Sequence, residues 1–241
     1  MKINIIGRGN VGWHLSEAFR QKVDVINVNP HTLAELDTDA DLTIISVTDT
    51  AIPSILEKLP ELTGIVAHTS GSTGIEVFEK PGCNRFRRYG VFYPLQTFTK
   101  GKPLDYSKIP FFIEAVDEDT EEKLMQAAAM VSENIVIADS EKRRALHIAS
   151  VFACNFANHL WTIADDYLRD HDLDFKLLLP LIKETCGKIK TLSPEKAQTG
   201  PAVRNDGLII SNHIETLKKE NNDNWQIYKM LSDSIIKHQK I

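Results

Sequence analysis

The chain has 241 residues, with 28 Lys and Arg against 33 Asp and Glu and a net charge of −5. That length is long for one domain and short for three, so two domains of roughly 100–140 residues are expected. The acidic balance, with no basic stripe, excludes non-specific nucleic-acid binding, and no apolar run approaches the roughly 20 residues a membrane helix needs.

The chain opens on Lys2-Ile3-Asn4-Ile5-Ile6, an apolar β-branched run that predicts a buried strand. Gly7-Arg8-Gly9-Asn10-Val11-Gly12 follows at the G-x-G-x-x-G spacing, ahead of an amphipathic helix over residues 13–21 and a second strand over 23–28. In such a βαβ unit Gly7 permits the tight turn, Gly9 lets main chain approach a pyrophosphate, and Gly12 lets the helix pack close to the strand. The helix then aims its free N–H groups at the anion. Gly7, Arg8, Gly9, Asn10, Val11 and Gly12 are therefore the expected core of a dinucleotide site.

The end of the second strand decides between the nicotinamide cofactors, because a carboxylate there binds the ribose 2′-OH and repels a 2′-phosphate. Counting along the chain finds Asn29, His31 and Thr32 there, with Asp24 too early and Glu35 and Asp37 too late. The usual arginine is absent, yet with Arg8 these groups favour NADP over NAD.

Residues 41–47 and 64–67 read as further buried strands, and Val47 and Thr48 at the end of the first should border the cofactor. His68-Thr69-Ser70-Gly71-Ser72 ends the second with an imidazole and hydroxyls, a pattern shared by a substrate loop and a plain turn. Residues 89–98 and 109–114 are expected as strands either side of a Lys100 to Pro103 loop, 118–132 as a helix and 135–137 as a last strand.

Strand signals then stop, which places the domain boundary near Asp139: a dinucleotide-binding domain over 1–139 and an all-helical substrate or dimerisation domain over 140–241. A long helix over 141–169, capped by Asp139 or Ser140, would carry His147, Cys154, Asn155, Asn158 and Thr162 on one side. Asn and His are poor choices for a solvated helix face, so His147, Asn155 and Asn158 point to a cleft between the halves or to hydrogen bonds inside a bundle. Pro180 must kink or restart the run over 175–192. Pro201 reads as the first turn of a helix after Gln198-Thr199-Gly200, with Arg204 free to hold a carboxylate or phosphate, and a last helix is expected over 225–237. Cys83, Cys154 and Cys186 are scattered, and fit reduced thiols rather than disulfides or a metal site. Met1 leads straight into a strand, so no signal peptide and a cytoplasmic location are expected.

The first half resembles the amino-terminal domains of pyrroline-5-carboxylate reductases and deazaflavin-dependent NADP oxidoreductases, through the glycine turn, the 41–47 strand and Thr48-Asp49-x-x-Ile52. The whole chain resembles a prokaryotic Rossmann-like NADP oxidoreductase family with an uncharacterised helical carboxyl-terminal domain. That match is carried by residues 67–72, Tyr93 to Phe98, Leu146-His147, Asn155 and Thr199-Gly200-Pro201-Ala202-x-Arg204-x-Asp206. The resemblance implies a second half of the 6-phosphogluconate-dehydrogenase type, a homodimer, and a substrate between the domains.

The expectation is thus an α/β chain, a Rossmann-type mainly parallel sheet followed by an all-α domain, that transfers hydride to or from a small carbonyl or imine with NADP(H). His147, then His68, are the candidate proton donors, since unperturbed imidazole titrates near neutral pH. Ser70, Gln96, Asn155, Asn158 and Arg204 are the candidate substrate ligands. The alternative is a non-catalytic NADP(H) sensor acting through its helical domain.

Overall fold

A computed structural model describes residues 1–239, and the chain divides into two compact units, Met1–Asn155 and Phe156–Ile241. In the first, β1 (Lys2–Ile6), α1 (Asn10–Arg20) and β2 (Asp24–Val28) form the expected βαβ unit. β3 (Leu42–Ile45), α2 (Ile52–Lys58), β4 (Ile65–His68), β5 (Tyr89–Pro94), β6 (Phe111–Ala115), α3 (Glu118–Ala129), β7 (Ile135–Ile137) and α4 (Ser140–Ser150) follow. The strands form one seven-stranded sheet in the order β2-β1-β3-β4-β5-β6-β7. From β2 to β5 it is parallel; β6 pairs antiparallel to β5, and β7 runs parallel to β6. The chain steps from β1 outward to β2, then returns past β1 to β3, so the order reverses beside β1. In open α/β sheets ligands settle outside the strand carboxyl ends at such a reversal.

The alternation of the strands decides what covers the sheet. Ile3, Ile5, Leu42, Ile44, Ile65 and Ala67 face one layer with Leu15 and Phe19 of α1 and Leu124 of α3. Ile6, Val28, Ile45 and Val66 face the other with Ile52, Ile55 and Leu56 of α2 and with Phe78. Being covered on both faces, these strands read as continuous apolar runs in the sequence.

α4 is capped as expected: the Asp139 carboxylate accepts from the Lys142 N–H at 2.8 Å. A π-helical stretch, Val151–Phe156, follows it, and the division between units falls at its end. This breaks the regular period on which one polar stripe from His147 to Thr162 was expected. A wider turn shifts every later residue around the axis. The second unit holds α5 (Ala157–Arg169), α6 (Leu179–Lys188), α7 (Pro194–Ala197), α8 (Gly207–Lys219) and α9 (Trp225–Gln239). Pro180 lies in the first turn of α6, so it starts a helix rather than kinking one. Pro201 does not: residues 201–205 form turns, and α8 begins only at Gly207, where the Asp206 carboxylate caps the Ile209 N–H at 3.2 Å.

Cys83 is buried and Cys154 and Cys186 exposed, all three as free thiols. No helix among the described residues is long and apolar enough to cross a membrane.

Candidate functional site

The register places Val28, Ile6, Ile45, His68 and Val91 level with one another across five strands. The segments that leave the sheet beyond that row hold most of the expected site residues of this unit. Gly7 has φ +123°, and a β-carbon there would run into the Ser46 carbonyl. One on Gly12 would strike the Gly7 carbonyl oxygen, so α1 sits as close to the turn as only glycine allows. Gly9 is different. A β-carbon there would meet nothing within 4 Å, so no protein atom requires glycine at this position. Bare main chain facing open space before an eleven-residue helix is what a diphosphate needs, and the residues present fit a dinucleotide.

Beside the turn lies a cleft of about 210 Å³ lined by Gly7, Arg8, Trp13, Ser16, Arg20, Asn27 and Lys100. Lys100 comes from the loop after β5, and no motif singles it out. Its N–H donates to the Asn10 side chain at 3.2 Å. The same loop is held by His14, fully buried, whose Nε2 lies 2.9 Å from the Thr99 carbonyl and whose Nδ1 lies 2.9 Å from the Tyr106 hydroxyl. A carbonyl can only accept, so Nε2 carries the proton and Nδ1 accepts from Tyr106.

At the end of β2 the Asn29 side-chain oxygen accepts the His31 N–H at 2.9 Å and the Thr32 hydroxyl accepts from Ala34 at 3.5 Å. The loop turns back through Leu33, at φ +54°, a conformation that leucine rarely takes. In consequence Glu35 returns to the strand end: its carboxylate accepts the Asn29 N–H at 3.2 Å and lies 3.9 Å from the Arg8 guanidinium. The expectation that Glu35 comes too late in the chain to stand there is overturned by this fold-back. Val47 is half-buried and Thr48 exposed just past β3.

The second cluster is built by β4, β5 and α4. The Tyr93 hydroxyl lies 3.0 Å from Nδ1 of His147. Burial pushes the Tyr93 phenol up, so it keeps its proton. With Tyr93 donating to Nδ1, the histidine's own proton sits on Nε2. Gly71 lies directly against this pair. His68 is fully buried and stacked on Phe78, and its Nδ1 accepts the Ser70 N–H at 3.2 Å. Burial, together with the nearby Arg143 charge, pushes its pKa down to about 3, so it stays neutral. Ser70 Oγ accepts from Ser72 and Thr73 at 3.1 and 2.8 Å and so shapes its own loop.

That loop is locked to α4 by a buried network. Arg143, 1% exposed, pairs with Glu114 of β6 and donates to the Thr73 carbonyl at 2.7 Å, while Ser140 Oγ accepts the Ile75 N–H at 3.0 Å and donates to Glu114. The same helix therefore fixes His147 and the loop facing it. Of the remaining expected residues, Gln96 is exposed with its carbonyl turned onto the Thr97 N–H at 2.7 Å, and Asn155 is exposed. In the second unit Asn158 and Arg204 are exposed too. Tyr93 belongs to the run that carries the family resemblance but was not among the expected site residues. Its place in an apolar strand made it look like core, and only the spatial pairing with His147 sets it apart.

Residues 109–235 match the model of a family described as Domain of unknown function (DUF2520). A Bacteroides fragilis protein whose crystal structure carries a provisional assignment as an NADP oxidoreductase is 35% identical over 98% of each chain, with a TM-score of 0.90. An imine reductase from Myxococcus stipitatus, solved with NADP⁺, is 13% identical over 100% of this chain and 94% of its own, with a TM-score of 0.66. A reductive aminase from Aspergillus terreus, solved with NADPH and ethyl-5-oxohexanoate, is 14% identical over 98% of this chain and 94% of its own, with a TM-score of 0.70. At such identities the last two attest the fold alone. Among curated proteins none matches.

Proposed function

The chain belongs to the DUF2520 family, and from that premise we propose that it is an NADP-dependent oxidoreductase moving hydride to or from a small carbonyl or imine. The observation that carries the reading is the 3.0 Å contact between Tyr93 and His147, in the same unit and at the same edge of the sheet as the open glycine turn. The NADP oxidoreductase assignment of the Bacteroides fragilis protein supports it, as do the NADP⁺ and NADPH complexes of the imine reductase and reductive aminase.

NADP(H), when bound, supplies or takes up the hydride. The main chain of Gly7 to Gly12 and the amino end of α1 would hold its diphosphate, Arg8, Asn29, His31 and Thr32 would take the 2′-phosphate, and Val47 and Thr48 would border the dinucleotide. The substrate oxygen or nitrogen needs a proton as it is reduced. Once it has taken up a second proton on Nδ1, His147 gives one from Nε2 and is left as the neutral imidazole, its Nδ1–H held by the Tyr93 oxygen. His68 has neither the exposure nor the charge of a proton donor, so its part is to position Ser70. Ser70, Gln96 and Asn155, all of the first unit, orient the substrate. A homodimer through the helical unit completes the proposal, supported by that unit's exposed apolar side chains.

The test is a titration with NADPH and NADH, followed by turnover on a panel of small imines and ketones. Removing a general acid costs about 10²–10⁴ in rate, so His147→Ala should lose kcat on that scale while NADPH affinity holds. A wild-type rate in His147→Ala removes that residue from the mechanism, and tight binding of neither nucleotide sinks the oxidoreductase.

A further inference from the structure

Glu35 stands where counting along the sequence places no carboxylate. Its two oxygens face different partners, the main-chain N–H of Asn29 at the end of β2, at 3.2 Å, and the guanidinium of Arg8 in the glycine turn, at 3.9 Å. The turn that brings it back is anchored from beneath. The Leu33 N–H donates to the Asn29 carbonyl at 2.9 Å and the Leu36 N–H to the Leu33 carbonyl at 3.2 Å, and both leucine side chains pack against the core layer under β2. Leucine accepts a positive φ at position 33 in order to make this turn.

An anion with two oxygens, held by a strand-end N–H and a guanidinium, occupies the kind of donor set that a phosphate monoester takes. We propose that Glu35 is an internal stand-in for the 2′-phosphate of the dinucleotide, and therefore the residue that sets the balance between its phosphorylated and unphosphorylated forms. This rests on the oxidoreductase reading above. To admit the 2′-phosphate, Glu35 must release Arg8. Toward the unphosphorylated nucleotide the same carboxylate accepts a hydrogen bond from the free 2′-hydroxyl. The Arg8 side chain is 61% exposed and that of Glu35 47%, so the pair is solvated and exchanges partners at small cost. The carboxylate thus restrains a preference for the phosphorylated form that Arg8, Asn29, His31 and Thr32 would otherwise make steeper.

The experiment measures dissociation constants for NADPH and NADH by quenching of tryptophan fluorescence, on the full chain and on Glu35→Gln, Arg8→Ala and the double variant. Glu35→Gln should tighten NADPH by about fivefold, the scale of an exposed charge interaction, without tightening NADH. In the Arg8→Ala background that gain should vanish, because Glu35 acts by withholding Arg8. An unchanged NADPH-to-NADH ratio in Glu35→Gln, or an equal gain without Arg8, overturns the inference while leaving the oxidoreductase reading intact. A wild-type chain that binds neither nucleotide sinks both.

Discussion

A β-carbon at Gly71 would sit 2.6 Å from His147 Nδ1 and 2.8 Å from Tyr93 Cζ. Gly71→Ala must therefore force the pair apart, and a displacement of about 1 Å in a reacting group costs up to about 10²-fold. The expected result is a fall in kcat of at least about tenfold with NADPH affinity kept, read by steady-state kinetics beside a nucleotide titration. His68 belongs to stability rather than catalysis. Its folded pKa is pushed down to about 3 by burial, so the unfolded chain, titrating near 6.5, binds the proton first as pH falls. Its contribution is whole above about pH 6.5 and is lost as pH drops toward 3, by about 2 kcal/mol between about pH 6.5 and about pH 5. His68→Asn keeps an acceptor for the Ser70 N–H and should flatten that part of the profile in urea melts. Such roles were only partly legible in the sequence. The glycines carry their own steric meaning, but Tyr93 lies in an apolar run and Glu35 reaches its place through a leucine that no turn rule would put at positive φ.

Among the elements, α1 was the most legible, because spacing, strand and amphipathic period agree on it. Its closeness to the turn depends on Gly12, whose added methyl would meet the Gly7 carbonyl oxygen. Gly12→Ala should cost about 1–3 kcal/mol, the usual scale of overpacking. NADPH affinity should weaken at the same time, since α1 and the turn must separate; thermal melts and the same titration check both. A variant that melts and binds like wild type would show that the helix gives way freely. Two elements were misread, each for a physical reason. Proline suits a first helical turn and equally a loop, so Pro201 could not mark the start of α8, which Asp206 caps instead. The Val151–Phe156 stretch has the composition of an ordinary helix, and its wider turn leaves no mark in the residue pattern. The antiparallel pairing of β5 with β6 was equally silent, since both strands read simply as apolar.

For the whole molecule, the sheet half was readable because its strands are buried on both faces. The helical half behaves otherwise. Among its described residues only Ala202, Ile210 and Ser232 are buried, while Leu208 is 72% exposed, Leu177 65% and Met230 63%. Apolar surface on that scale supports the homodimer proposed above. Sedimentation of the full chain should give a dimer, and Leu208→Glu should shift it toward monomer; an unchanged monomer in both would remove the homodimer proposal. Helices with so small an interior of their own draw their cohesion from elsewhere. If a second copy supplies it, as proposed, that cohesion is second-order in protein: dilution should favour unfolding, the melting temperature should climb with concentration, and a newly made chain should complete its sheet half before its helices meet their mate.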